Sequence, residues 1–156
     1  MLKKEKLLNF CVNVLLKLNM DEDKALKTSE ILIEADMMGH STHGTRLLPM
    51  YISDIEKGNM RVSGEVEIIK DTGPCVTWDG KLLPGIWLTH EAISLASKRC
   101  KKHGVVTVLV GNSHHNGALA AYMLPYVDKG LLILIKSSVP SSASVAPFGG
   151  TEPLLT

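Results

Sequence analysis

The spacing of apolar residues changes near residue 60, and this change constrains the fold more than any other feature of the chain. Before Gly58 the apolar residues recur at helical spacing, which predicts three helices at about 3–18, 21–38 and 47–57. After Gly58, shorter and more β-branched runs predict strands at 64–70, 75–80, 105–110 and 131–135, with helices at 85–102 and 117–128. The sequence therefore predicts an α/β protein in which a helical N-terminal region, residues 1–60, precedes a mixed-sheet α/β layer, residues 61–156.

Local signals refine this prediction. Asp21 is a favourable N-cap for the second helix, whose predicted buried stripe includes Leu26. The segments 105–110, 117–128 and 131–135 form a strand, helix, strand order, which predicts two buried parallel strands joined by a crossover helix. No closing element follows Gly149 and Gly150, so we expect an incomplete α/β layer, either because the protein is truncated or because it depends heavily on another chain.

Composition excludes several classes of function. The formal net charge is +1 and no basic block is present, which argues against binding to nucleic acid or to an anionic membrane surface. No apolar run reaches the length of a transmembrane helix. The three cysteines are odd in number and widely spaced, which predicts reduced, mostly buried thiols in a cytoplasmic protein.

Two short runs contain four of the six histidines, and both place histidine close to glycine. They are Gly39-His40-Ser41-Thr42-His43-Gly44 and Asn112-Ser113-His114-His115-Asn116-Gly117. Imidazole titrates near neutral pH, so these runs predict proton transfer on a small molecule. The second run joins a predicted strand to a predicted helix, where the amide of Gly117 is a candidate for binding an anion such as a cofactor phosphate.

The residues themselves leave structural alternatives open. Ser41, Thr42, Asn112 or Ser113 would serve equally well as helix caps, and the histidines would then lie in ordinary loops. Arg46 is either a partner for a substrate carboxylate or a solvated surface charge. The chain has no metal-binding His-Glu-x-x-His motif, no Gly-x-Ser-x-Gly motif and no Gly-x-Gly-x-x-Gly motif. We therefore expect no metal site and no Rossmann dinucleotide fold.

Three blocks of the chain together resemble the type 2 malate/L-lactate dehydrogenase family. The blocks are Ala35–Gly44 with Leu47, Leu48, Pro49 and Tyr51 after it; Asn112–Ala118 with Tyr122 after it; and Ala146–Pro153. The resemblance implies a non-Rossmann dehydrogenase fold, NAD or NADP as cofactor, a small 2-oxo or 2-hydroxy acid as substrate, and a homodimer. It also implies hydride transfer at C2 of the acid, while a histidine exchanges a proton with the C2 oxygen.

The same resemblance gives roles to single residues. His115 matches the proton acceptor of some members, and His43, with Thr42 where serine is commoner, matches the histidine of a proposed relay in others. Ser138 falls near a cofactor-contacting serine. Many members have arginine four residues after the relay histidine, where this chain has Leu47. Arg46 lies one residue earlier, a rotation of about 100° on a helix.

Family members are about twice as long as this chain, so the later aspartate of the relay and most cofactor-binding residues have no counterpart here. Two alternatives to a dehydrogenase therefore stay open at this point. One is a truncated, inactive fragment that only dimerises or takes part in interactions. The other is a module that binds a small acid without redox chemistry.

Overall fold

The helices of the N-terminal region form where the apolar period predicts them. The computed structural model describes residues 3–138, 143–145 and 149–155, and its first helices are α1 at Lys4–Lys17, α2 at Glu22–Met37 and α3 at Leu48–Glu56. Two 3₁₀ turns, Ser41–His43 and Thr45–Leu47, connect α2 to α3. Gly58 follows α3 with a φ of 73°, a left-handed conformation that favours glycine after a helix end.

A mixed three-stranded sheet follows these helices. Strand β1, Glu67–Asp71, pairs antiparallel with β2, Cys75–Asp79, and β2 pairs parallel with β3, Thr107–Gly111. Helix α4, Gly85–His103, connects the two parallel strands, because parallel neighbours need a long crossover. The predicted fold class, a helical region followed by a mixed-sheet α/β layer, is confirmed.

The predicted helix over 117–128 is wrong. The chain instead forms a 3₁₀ turn at Leu119–Tyr122 and a single turn of helix, α5, at Leu124–Val127. Pro125 explains the break: a proline inside a continuous helix has no N–H to donate and clashes with the preceding turn. In the observed structure it lies in the first turn of α5, where the missing N–H costs nothing.

The predicted strand over 131–135 is also wrong. These residues take no regular secondary structure, and the side chains of Leu132 and Leu134 are 100% and 80% exposed. The parallel partner of β3 is β2, not this segment. Strand β3 is consequently less buried than its β-branched sequence predicts, and Leu109 is 63% exposed.

The main core joins the N-terminal helices to α4 and to the segment around Tyr122. Its buried members include Cys11, Leu15, Leu32, Tyr51, Ile86, Ala118 and Tyr122. Residues from both sides of position 60 share this core. The domain boundary predicted at residue 60 stays a prediction. A second cluster, of Val76, Trp78 and Ala92, packs α4 on the sheet.

Three local predictions need correction. Asp21 does not cap α2 through its side chain: its carboxylate accepts from the buried Lys24 ammonium at 3.0 Å and from the Gly64 amide at 3.3 Å. These two partners bind the Asp21 carboxylate in place of a backbone N–H from the first turn of α2. Leu26 is 41% exposed and lies outside the buried stripe of α2. Of the three thiols only Cys11 is fully buried, whereas Cys75 is exposed at the start of β2.

The remaining described segments are small. Strands β4, Ala143–Val145, and β5, Leu154–Leu155, form an antiparallel pair. Residues 146–148 of the third block that resembles the dehydrogenase family lie outside the described residues. None of the described helices combines the length and apolar character that crossing a membrane requires.

Candidate active site

The segment that carries His43 is anchored to the end of α2 by Asp36. One carboxylate oxygen of Asp36 accepts hydrogen bonds from the backbone N–H of Thr45, at 2.9 Å, and from its hydroxyl, at 2.6 Å. Gly44 is buried against the other oxygen: a Cβ at this position would lie 1.8 Å from it. The close approach requires glycine, so Asp36 and Gly44 together fix the path of the chain beside His43.

His43 itself is exposed, and its ring is oriented by the residue before it. The Thr42 hydroxyl lies 3.0 Å from Nδ1 of His43. At this distance the hydroxyl can orient the imidazole.

The segment that carries the second histidine pair, residues 112–117, lies against the start of α4. The His114 amide donates to the carbonyl of Leu83 at 3.2 Å. A Cβ on Gly85 would lie 2.0 Å from the carbonyl oxygen of His114 and 2.6 Å from that of His115. Both neighbours are backbone atoms, so only glycine lets α4 begin this close to the histidines.

The fold brings His115 and His43 together from segments far apart in the sequence. Their rings stack with centroids 5.6 Å apart and planes at 27°. Nδ1 of His115 also lies 2.9 Å from the Tyr51 hydroxyl and 3.2 Å from the Gly117 amide. Burial, and then the nearby His43 and His114 rings, lower the pKa of His115 to about 4. Its ring is therefore neutral near pH 7.

His114 is held differently from its neighbour. Its Nε2 lies 3.0 Å from a carboxylate oxygen of Asp54, and its ring meets Tyr51 edge to face at 5.4 Å between centroids. Its Nδ1 is buried and has no hydrogen-bond partner among the described residues. His114 is thus paired with α3 and lies outside the wall of the pocket described next.

A pocket of about 230 Å³ opens beside these histidines. Its wall is formed by His40, His43, Gly117, Ala118, Leu119 and Ala120. Gly117 has a φ of 67°, which favours glycine, so the chain can turn here and give the pocket a wall of backbone and small side chains. Ligand pockets for drug-sized molecules run from about 300 to 1,000 Å³, so the volume of this pocket agrees with a small acid as its ligand.

Four of the predicted site residues lie outside this pocket wall: Thr42, Arg46, His115 and Ser138. Arg46 is exposed and makes no ion pair with any residue the structure describes. Ser138 is exposed in the irregular segment after α5. Its neighbour Ser137, not predicted, accepts a hydrogen bond from the Asn116 side chain at 3.2 Å. Across the described ranges, no three His, Cys, Asp or Glu side chains cluster closely enough to hold a metal ion.

Three residues that shape the site were missed by reasoning from residue types. Tyr51 is one of several apolar positions on α3, Asp36 resembles an ordinary acidic residue at a helix end, and Gly85 has no unusual φ. Position 51 appeared only as part of the family resemblance. No local pattern identifies these residues, because the contacts that matter are made between distant segments.

The Asp36 anchor leads to a first prediction. Replacing Asp36 with alanine removes both acceptors of Thr45, and we expect a loss of about 1 kcal/mol in the free energy of unfolding, the usual cost of deleting a helix-capping side chain. Chemical denaturation measures this change, with Glu56→Ala on the exposed end of α3 as the control. A value for Asp36→Ala equal to that of the control would contradict the anchoring role.

Comparison with known proteins identifies the family of the chain. The sequence profile of malate/L-lactate dehydrogenases matches residues 2–156. Hydroxycarboxylate dehydrogenase B of Escherichia coli O157:H7 is 29% identical over 92% of this chain and 40% of its own length. L-sulfolactate dehydrogenase of Methanocaldococcus jannaschii is 30% identical over 99% of this chain and 44% of its own length.

Structural similarity leads to the same family. The crystal structure of malate dehydrogenase from Entamoeba histolytica superposes with a TM-score of 0.79 at 31% identity, over 83% of this chain and 36% of that protein. The chain thus spans about 40% of the length of the curated relatives it matches. Sequence profile, relatives and fold agree, and the chain belongs to the malate/L-lactate dehydrogenase family.

Proposed function

We propose that this chain takes part in hydride transfer between a nicotinamide cofactor, NAD or NADP, and C2 of a small 2-oxo or 2-hydroxy acid such as malate or lactate. The observation that carries the proposal is the stacking of His43 on His115 beside a pocket of small-acid size. The names of the relatives, which are malate, sulfolactate and hydroxycarboxylate dehydrogenases, support the same reaction class.

In this proposal His115 exchanges a proton with the C2 oxygen. Its ring is neutral near pH 7, so in reduction it must first take up a second proton from a group in contact with solvent, and it returns to the neutral form when it gives a proton to the C2 oxygen. His43 is exposed, lines the pocket and stacks on His115, and its ring is oriented by Thr42. We therefore assign His115 and His43 to the proton exchange and Thr42 to the orientation of His43.

Cofactor binding is proposed for Gly117 and Ser138. Gly117 contributes backbone to the pocket wall, and Ser138 is exposed and accessible to a ligand. The pocket has room for a small acid or a single ring, and the described residues do not enclose a complete dinucleotide. When bound, the cofactor supplies the hydride; the residues of this chain supply the proton and the surface that orients the acid.

The substrate carboxylate is assigned to Arg46. The guanidinium is exposed and unpaired with any residue the structure describes, so it is available to an anion. Replacing Arg46 with alanine is expected to raise KM for the oxo acid by about tenfold, the equivalent of one lost charge-assisted hydrogen bond, and to change kcat little. Arg61→Ala, another exposed arginine, is the control. An unchanged KM would exclude Arg46 as the carboxylate partner.

Turnover tests the proposed function directly. The chain is mixed with NADH or NADPH and with pyruvate, oxaloacetate or another 2-oxo acid, and oxidation of the cofactor is followed by absorbance. We expect turnover with at least one pair, and unchanged turnover after His103→Ala at the exposed end of α4. A chain that folds but oxidises neither cofactor with any of these acids would contradict the proposal that it catalyses the reaction by itself.

Three further properties are proposals: a homodimer, from the family resemblance; a cytoplasmic location, from the number and spacing of the cysteines; and a small acid as the partner, from the resemblance, rather than nucleic acid or membrane, which the charge argues against. Light scattering during size-exclusion chromatography tests the first. The relatives that match over more than nine-tenths of the chain are dehydrogenases, so an inactive dimerising fragment is the less favoured alternative.

A further inference from the structure

The contacts of His115 determine which of its ring nitrogens carries the proton. The Gly117 amide lies 3.2 Å from Nδ1, and a backbone N–H can only donate. Nδ1 therefore acts as an acceptor in the neutral ring, and the proton is on Nε2. Among the described residues Nε2 of His115 has no hydrogen-bond partner, so it is available to a ligand.

The Tyr51 hydroxyl favours the same form. It lies 2.9 Å from Nδ1 of His115 and 3.4 Å from the carbonyl oxygen of the same residue, and both atoms are acceptors. Tyr51 is 1% exposed, and burial together with the nearby Asp54 carboxylate raises the pKa of its phenol. The hydroxyl thus keeps its proton near neutral pH and can serve as a donor to Nδ1.

The ring of Tyr51 is also held by contacts with His114, which in turn pairs with Asp54. Asp54, one turn later on α3, pairs with Nε2 of His114, and the His114 ring packs edge to face on Tyr51. This arrangement leaves the phenol little freedom to turn away from His115. The same Asp54 carboxylate links two features of the site, because it holds His114 and also disfavours ionisation of Tyr51.

We propose that Tyr51 is a positioning residue that, together with the Gly117 amide, keeps His115 in its Nε2–H form and leaves Nε2 as the atom that meets the C2 oxygen. The contact between Nε2 and the C2 oxygen rests on the function proposed above, whereas the assignment of the proton to Nε2 does not. In this neutral form Nε2–H donates a hydrogen bond outward and orients the acid, and a proton passes from Nε2 to the C2 oxygen only after the ring has taken up a second proton. A 2-oxo acid offers a carbonyl oxygen that can accept this hydrogen bond.

Nuclear magnetic resonance of the ¹⁵N-labelled chain tests the assignment without turnover. The Nδ1 and Nε2 shifts of a neutral histidine differ according to which atom carries the proton, and we expect the Nε2–H pattern for His115 above its pKa. The Nδ1–H pattern would overturn the proposal. The charged or titratable groups around this ring are His43 from the Ser41–His43 turn, His114 from its own segment, and Tyr51 and Asp54 from α3.

Substitution of Tyr51 tests its own contribution. Tyr51→Phe keeps the ring and removes only the hydroxyl that stabilises the neutral imidazole. We expect the pKa of His115 to rise by roughly half a unit to one unit, as for the loss of one hydrogen bond, and the Nδ1–H form to become detectable. Tyr126→Phe, on the exposed α5, is the matched control. No change in either property in a folded Tyr51→Phe chain would overturn the role of Tyr51.

A measurement on the unsubstituted chain covers the case in which Tyr51→Phe does not fold. With ¹³C at the Cζ of tyrosine, the Tyr51 signal should shift with the same midpoint as the titration of His115, because its hydroxyl partner changes charge. A Tyr51 signal that does not shift as His115 titrates would contradict the hydrogen bond between the Tyr51 hydroxyl and Nδ1 of His115. Absence of turnover would defeat the proposed function and leave these spectra unaffected, so the two failures can be told apart.

Discussion

Replacing His115 with alanine is expected to lower kcat for reduction of a 2-oxo acid by about a hundredfold or more. Proton transfer by a positioned side chain contributes about 10² to 10⁴ to a rate, and His115 is the less exposed imidazole of the stacked pair. His43→Ala should cause a smaller loss, because water can replace an exposed proton carrier more easily than a buried one. The rates are compared at saturating substrate.

Two controls separate loss of chemistry from loss of structure. His115→Gln keeps most of the volume of the ring and should show the same loss in kcat as the alanine variant. His90→Ala removes a histidine on α4 whose side chain has only Glu91 as a hydrogen-bond partner among the described residues, and it should leave kcat unchanged. If kcat of a folded His115→Ala chain stays within threefold of the parent, His115 does not exchange the proton.

Gly85→Ala is expected to cause the largest loss of stability among single substitutions near the site. The added Cβ would lie 2.0 Å from the backbone carbonyl oxygen of His114 and 2.6 Å from that of His115. These oxygens cannot move without displacing the segment 112–117, called here the histidine segment. We expect the free energy of unfolding to fall by about 3 kcal/mol, at the upper end for overpacking. The NMR signals of His114 and His115 should move as α4 and the histidine segment separate.

Gly111→Ala is the matched control for this substitution. Gly111 ends β3 without a left-handed φ, and a Cβ there would meet its nearest neighbour at an ordinary 3.9 Å. The change should alter stability by less than about 1 kcal/mol, since alanine also reduces the freedom of the unfolded chain. Equal losses for the two variants would show that the approach of α4 to the histidines is not tight.

The local sequence pattern was sufficient to predict an element where all of its signals lie within a few residues. Helices α1 to α4 were predictable because apolar spacing and helix-ending glycines such as Gly58 act within a few residues. Strands β1 and β2 were predictable because the turn between them is short and polar. The failure at 131–135 has the opposite cause: a strand needs a partner, and an apolar run cannot specify which segment pairs with it.

The reactive groups of the candidate site could be proposed from the sequence, whereas the residues that support them could not. His43, His115 and Thr42 could be proposed because imidazole and hydroxyl groups beside glycine are unusual in a sequence. Tyr51 and Gly85 could not, because their importance lies in one contact each with a segment elsewhere in the chain. Reading the sequence alone therefore finds groups that can react and misses those that hold them.

The lowered pKa of His115 also makes stability depend on pH. Between about pH 6.5, the ordinary value for histidine, and about pH 4, the unfolded chain binds a proton at this residue that the folded chain does not. The free energy of unfolding should therefore rise with pH through this window and fall as pH is lowered. His115→Gln should remove this part of the pH dependence.

The central claim is that His43 and His115 form one site, and titration of His115 by NMR tests it most directly. We expect a pKa of about 4 in the parent chain, lowered by burial and then by the charge of His43. In His43→Ala the value should rise, because that repulsion is gone while Tyr51 and Gly117 still hold the ring. An ordinary value near 6.5 that does not change in His43→Ala would show that the two histidines do not share a site.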